Sequence, residues 1–162
     1  MIYLTSDTHF SHANIIKYCN RPFDNAIIMN NRIIENWNSV VGKDDEVFHL
    51  GDVGCWFKEN AWIEEILPNL NGKKFLIPGN HDKKFLQVLK RHFTVLPPIH
   101  NIIIENEECG RLMAVLCHYP IYSWDGQFHG AIHVGVDGND FKPLSAEEII
   151  IKTTKQIIGN NN

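Results

Sequence analysis

The chain has 162 residues, 44% of them hydrophobic and 21% charged, with a formal charge of −4. One domain of this size buries roughly 70% of the surface its unfolded form exposes, so it needs no metal or disulfide staple merely to fold. The balance excludes a disordered, collagen-like or coiled-coil chain, and its apolar runs are too short for a membrane-spanning helix of about 20 residues.

Residues 1–5 are apolar and end at Ser6-Asp7, which reads as a buried strand. Ser11 is placed to cap a short helix over 12–18, and Arg21-Pro22-Phe23 stops it. Asp24 then opens a longer amphipathic helix to about position 41, with Ile27, Ile28, Ile33, Ile34 and Trp37 at helical spacing. A second strand over 46–50 runs into Gly51-Asp52. A helix covers 60–67. A third strand over 73–77 ends in Pro78-Gly79-Asn80-His81-Asp82, and a helix over 82–91 follows.

Strand and helix therefore alternate three times, the pattern of a mostly parallel sheet with crossover helices. The second half is different. Runs over 95–105 and 111–117 flank a polar turn and read as a hairpin. Residues 131–136 read as another strand. A C-terminal helix over 145–158 is capped by Ser145 with Glu148 at its third position. A single domain over 1–158 with a frayed tail at 159–162 is expected.

Four strand ends carry chemistry-bearing residues: Asp7-Thr8-His9, Gly51-Asp52, Gly79-Asn80-His81-Asp82 and His118-Tyr119-Pro120. In an open α/β sheet the loops at the carboxyl ends of strands converge on one crevice. That places Asp7, His9, Asp52, Asn80, His81 and His118 on one rim. Carboxylate, imidazole and amide oxygen together suit Mn²⁺, Fe²⁺ or Zn²⁺. The set has more ligands than one ion needs, and two ions bridged by one carboxylate would use them. Taken singly, each motif has an ordinary structural explanation: an N-cap, a turn or a core histidine.

In this order, the motifs resemble those of the calcineurin-like metallophosphoesterase superfamily, which run D-x-H, G-D, G-N-H-D or G-N-H-E, H, and G-H-x-H. The resemblance spans 1–150. Its small phage and bacterial members look especially similar at Thr5-Ser6-Asp7-Thr8-His9-Phe10, at Tyr18-Cys19-Asn20-Arg21-Pro22-Phe23 and at Val134-Gly135-Val136-Asp137. The resemblance implies a four-layer α/β/β/α sandwich of two mixed sheets flanked by helices. It implies two divalent cations (manganese, iron, zinc or nickel), or one if the last motif is lost. Asp7 and His9 would hold the first, Asp52 would bridge, and Asn80 and His118 would hold the second. His81 would assist the leaving group, with Asp82 orienting its ring. A metal-bound water would attack a phosphate ester, most naturally a phosphodiester, with a nucleotide as one such substrate.

The last motif departs from the family pattern. Its region reads Phe128-His129-Gly130-Ala131-Ile132-His133-Val134-Gly135. In one alignment Ala131 replaces the second-metal histidine and His133 is kept for the first metal. In the other the motif's loop is missing, 131–137 is the strand after it, and His133 is no ligand. The alternation of Ile132, Val134 and Val136 favours the second. His129 is a further candidate substitute.

Arg21 offers a guanidinium for substrate phosphate, or a salt bridge to Asp24 or Glu35. His12 either meets phosphate or caps its helix. Tyr119 and Trp124 either wall a base pocket or pack in the core. The mild acidity argues against strong non-specific nucleic-acid binding. The start of the chain lacks the basic segment of a signal peptide. Four Cys without CxxC or zinc-finger spacing read as reduced, buried thiols of a cytoplasmic protein. The rival reading is a catalytically impaired module that binds a nucleotide or a protein. A single-metal enzyme is another alternative. Redox chemistry on iron has no supporting motif.

Overall fold

The computed structural model describes residues 1–54, 61–106, 110–119 and 132–159, the side chains of 106, 110 and 156–159 excepted. The order is β1 (Ile2–Thr5), α1 (Ala13–Tyr18), α2 (Ala26–Val40), β2 (Glu46–His49), α3 (Ala61–Ile66), β3 (Lys73–Leu76), α4 (Leu86–Leu89), β4 (Thr94–Val95), β5 (Ile99–Asn106), β6 (Gly110–Cys117), β7 (Leu144–Ser145) and α5 (Ala146–Gly159). One sheet runs β4-β3-β2-β1-β7 and a second pairs β5 with β6. The strands from β1 to β4 are parallel to their neighbours, and β7 is antiparallel to β1. This is the expected mixed α/β architecture: a five-stranded sheet, a second sheet and helices. Among the described residues the second sheet is antiparallel.

Side-chain alternation along the strands builds two cores. Tyr3, Val47 and Leu76 face one side, where α1 to α4 deliver Ile15, Met29, Ile33, Trp37, Ile63 and Leu89. Leu4, Phe48 and Ile77 face the other, against Ile102, Ile104 and Leu116 of the hairpin and Ala146, Ile149 and Ile150 of α5. Both faces of the central strands are thus covered.

Several expected boundaries move. Helix α1 starts after His12, which makes no side-chain cap, and Ser11 instead exchanges two hydrogen bonds with Asn30. Asn25, not Asp24, caps α2, its Oδ1 accepting the Ile28 N–H at 3.0 Å. The helix expected over 82–91 breaks at Phe85 into a 3-10 turn, Asp82–Lys84, and the short α4. The Asp82 carboxylate is occupied by three backbone amides, two from the loop after β2 and one from its own loop.

The run read as one strand over 95–105 is two strands in two different sheets. Pro97 and Pro98 separate them, since proline donates no ladder bond and restricts the residue before it. The strand expected over 131–136 is not formed among the described residues. Gly135 makes one parallel bridge to Ser6, and a 3-10 turn takes over at Val136–Gly138. Strand β7, two residues long, has no periodic signal and was not expected. The C-terminal capping box is present: Ser145 Oγ accepts the Glu148 N–H, and Glu148 Oε2 accepts the Ser145 N–H. Residues 160–162 of the expected tail lie outside the described residues. No helix among those described is long and apolar enough to cross a membrane.

Candidate metal centre

The carboxyl ends of β1, β2, β3 and β6 meet at one rim. The loop after β1 runs beside the loop after β2: Asp7 N–H donates to Gly51 O, His9 N–H to Asp52 O and Phe10 N–H to Val53 O. Asp7, His9 and Asp52 all have left-handed backbones, with φ of 56°, 50° and 56°. Non-glycine residues rarely accept this conformation, which costs about 1–3 kcal/mol each and concentrates at functional sites. It re-aims each side chain out of the strand direction and into the rim.

One donor atom each from Asp7, Asp52 and His118 lies within 4.8 Å of the others. His9 Nε2 is 3.9 Å from Asp7 Oδ1 and 3.8 Å from Asp52 Oδ2. On the opposite side, His118 Nε2 is 3.7 Å from Asp52 Oδ1 and 3.3 Å from Asn80 Oδ1. The two oxygens of Asp52 therefore face two separate donor groups. His118 Nδ1 lies 2.6 Å from Leu50 O, and because a carbonyl only accepts, Nδ1 donates there and Nε2 is the ring nitrogen that faces the site. Burial, then the positive charge of Arg21 and the neighbouring histidines, holds the His9 imidazole down at about 3, so this ring is neutral. Imidazoles and clustered carboxylates fit a divalent cation.

Close approach of loops is part of the design. A Cβ on Gly79 would stand 2.3 Å from Asp52 Oδ1 and 2.9 Å from His118 Cε1. Gly51, at φ +91°, packs against Gly79 and the His118 ring in the same way.

The other expected site residues take varied positions. His81 is half exposed, with Nε2 3.9 Å from Asp52 Oδ2 and its N–H donating to Asp52 Oδ1. Asp82 does not orient the His81 ring as the resemblance implied. Its Oδ2 accepts the Asp52 and Gly79 amides and its Oδ1 accepts the Val53 amide. Burial raises the Asp82 carboxyl pKa, and these amides offset only part of the rise. Its observed work is to lock the β2 and β3 loops together.

His12 is buried, with its ring against those of His9 and His81. Burial, then the charges of His81 and Arg21, lowers its pKa. His133, the alternative ligand, is 78% exposed with Nε2 4.0 Å from Asp7 Oδ2, so the structure brings it to the rim. His129 and Trp124 lie outside the described residues. Tyr119 is exposed, edge-on to His118.

The Arg21 guanidinium is not left free for substrate phosphate. Its side chain has no exposed surface and pairs with Asp137, rather than with Asp24 or Glu35. The sequence reading met Asp137 only as part of a family-like segment; its pairing escaped because it lies 116 positions from Arg21 and nothing local marks the pair. Of the cysteines expected to be buried, Cys19 is exposed.

Fold and rim together define a metal-binding α/β protein. A model of the calcineurin-like phosphoesterases matches residues 1–150, and the chain belongs to that family. The chain is 55% identical over 82 residues to an uncharacterized protein of Methanocaldococcus jannaschii, covering 51% of this chain and 47% of that one. It is 34% identical over 85 residues to the Gene 66 protein of Mycobacterium phage L5, covering 49% and 39%. The matches thus span less than half the length of these relatives. A crystal structure of a protein of unknown function from Aquifex aeolicus superposes with a TM-score of 0.70 at 28% identity, covering 93% of this chain and 97% of that one.

Proposed function

We propose that this protein hydrolyses phosphodiesters at a dinuclear metal centre, with Asp7 and His9 holding one cation, Asn80 and His118 the other, and Asp52 between them. The observation that carries the reading is the Asp52 carboxylate, one oxygen 3.8 Å from His9 Nε2 and the other 3.7 Å from His118 Nε2. When bound, the cations offset phosphate charge and bring a water towards neutral pKa as nucleophile. The chain's own residues do the rest. Asp82 holds the amides of Asp52, Val53 and Gly79, which keeps the two loops from spreading. His118 is fixed in the ligating tautomer by Leu50 O. His81, half exposed beside Asp52, delivers a proton from Nε2 to the departing oxygen. His133 completes the Asp7 side. His12 lies beside His9 and His81 and faces the substrate phosphate. The substrate is a phosphate ester, with a nucleotide compatible, and a reducing cytoplasmic setting suits the free thiols.

The test is hydrolysis of a bis-aryl phosphodiester with and without Mn²⁺, with Asp52→Asn alongside. Mn²⁺-dependent turnover lost in Asp52→Asn is the expected result. A folded protein with no turnover in any metal would overturn catalysis on simple diesters. It would favour a binding module that has lost its last motif.

A further inference from the structure

We propose that Arg21 and Asp137 form a positioning clamp that sets the aim of the Asp7 and His9 side chains; this rests on the phosphoesterase reading above. The clamp lies behind the rim. Arg21 Nε donates to Asp137 Oδ1 at 2.7 Å and Nη2 to Asp137 Oδ2 at 2.8 Å, a two-pronged pair. The same guanidinium turns its remaining donors on the loop after β1. Nη2 donates to Asp7 O at 2.7 Å and Nη1 to Thr8 O at 2.9 Å. Nη1 also lies 3.4 Å from Met29 Sδ.

Those two carbonyls belong to the backbone between the two left-handed residues. Asp7 and His9 have φ of 56° and 50°, while Thr8 between them is fully buried with its Oγ1 on Val53 O. Strained backbone persists only where its surroundings over-determine it. Here a planar fork grips two successive carbonyls, and its charge is answered by a carboxylate on another element. A lysine ammonium has neither the plane nor the number of fixed donors to span these acceptors.

Asp137 reaches the clamp from the segment that carries His133. Asn139 Nδ2 donates to Gly135 O at 2.8 Å in that segment, and Gly135 bridges Ser6. Phe141 stacks edge-on with Phe23 and lies under Arg21, its ring centroid 5.6 Å from Cζ. One buried cation therefore ties the first motif to the remnant of the last, and orients Asp7 and His9 without touching substrate.

The test uses Arg21→Lys and Asp137→Asn, with Ile104→Val in the hairpin core as a control for general loosening. Two readouts are taken: Mn²⁺ affinity by calorimetry, and backbone carbon chemical shifts of Asp7 and His9 in the metal-free protein. Both clamp variants are expected to weaken Mn²⁺ binding about 10- to 100-fold. They also move both residues out of the left-handed shift range, while Ile104→Val changes neither readout. Unchanged shifts in the clamp variants, or equal loss of affinity in Ile104→Val, overturn the proposal. If neither clamp variant folds, the pair is a stability element and the proposal fails. If the native protein binds no Mn²⁺, the phosphoesterase reading fails separately and the shifts still decide the clamp.

Discussion

Gly79 shows how little room a single residue has at the rim. A methyl group there would stand 2.3 Å from Asp52 Oδ1, and the backbone of Asp52 lies 2.7 Å away. Gly79→Ala should therefore leave a folded protein and remove at least 10²-fold of its Mn²⁺-dependent turnover, because a displacement of about 1 Å at such a site is that expensive. Turnover assays beside a thermal melt check it. The ligand-type residues were legible in the sequence because each follows a strand and each is a donor: Asp7, His9, Asp52, Asn80 and His118. Asp82 and Arg21 were visible too, but their work was not. Both spend most of their polar atoms on groups of other segments, backbone amides and carbonyls and the Asp137 carboxylate, and no local spacing records that.

At the scale of elements, the start of α2 separates two adjacent residues that the sequence does not distinguish. Asn25 Oδ1 accepts the Ile28 amide, while Asp24 is exposed outside the cap. Asn25→Ala should cost about 1 kcal/mol in denaturant unfolding and Asp24→Ala close to nothing. Equal losses would show that the cap is shared. The capping box at Ser145 and Glu148 was readable because both partners lie within one turn. Strand β4 was merged with β5 because both halves are β-formers and the prolines between them mark a break without saying which sheet follows. That choice belongs to Leu96, whose N–H donates to Leu76 O at the end of β3.

Over the whole molecule, a buried imidazole links folding to pH. His49 is enclosed between Trp37, Phe93 and Thr8, and burial, then the charges of His118 and His9, holds it at about 3. The unfolded chain binds this proton near pH 6.5 and the folded chain does not. The stabilisation from His49 is thus complete above about pH 6.5 and is lost as pH falls towards 3. The slope is about 1.4 kcal/mol per pH unit in that window. Urea unfolding of metal-free protein at pH 7.5 and 5.5 should show the loss, and His49→Leu should reduce it by about 1 kcal/mol. An identical pH slope in the variant would refute the link. Metal acts in the other direction: Mn²⁺ at 100 times its Kd should stabilise the fold by about 2.7 kcal/mol, and Asp52→Asn should abolish that gain.

The parallel α/β half, the hairpin and the convergence of four loops followed from local order alone. Strand alternation, helical spacing and the rule that ligands gather at strand carboxyl ends are properties of short segments. Three things waited for the folded chain: the left-handed turns at Asp7, His9 and Asp52, the Arg21–Asp137 pair, and the seating of His133 beside Asp7. Each depends on contacts between segments far apart in the chain. Such contacts are chosen by packing and by the satisfaction of buried polar groups, which no single stretch of sequence encodes.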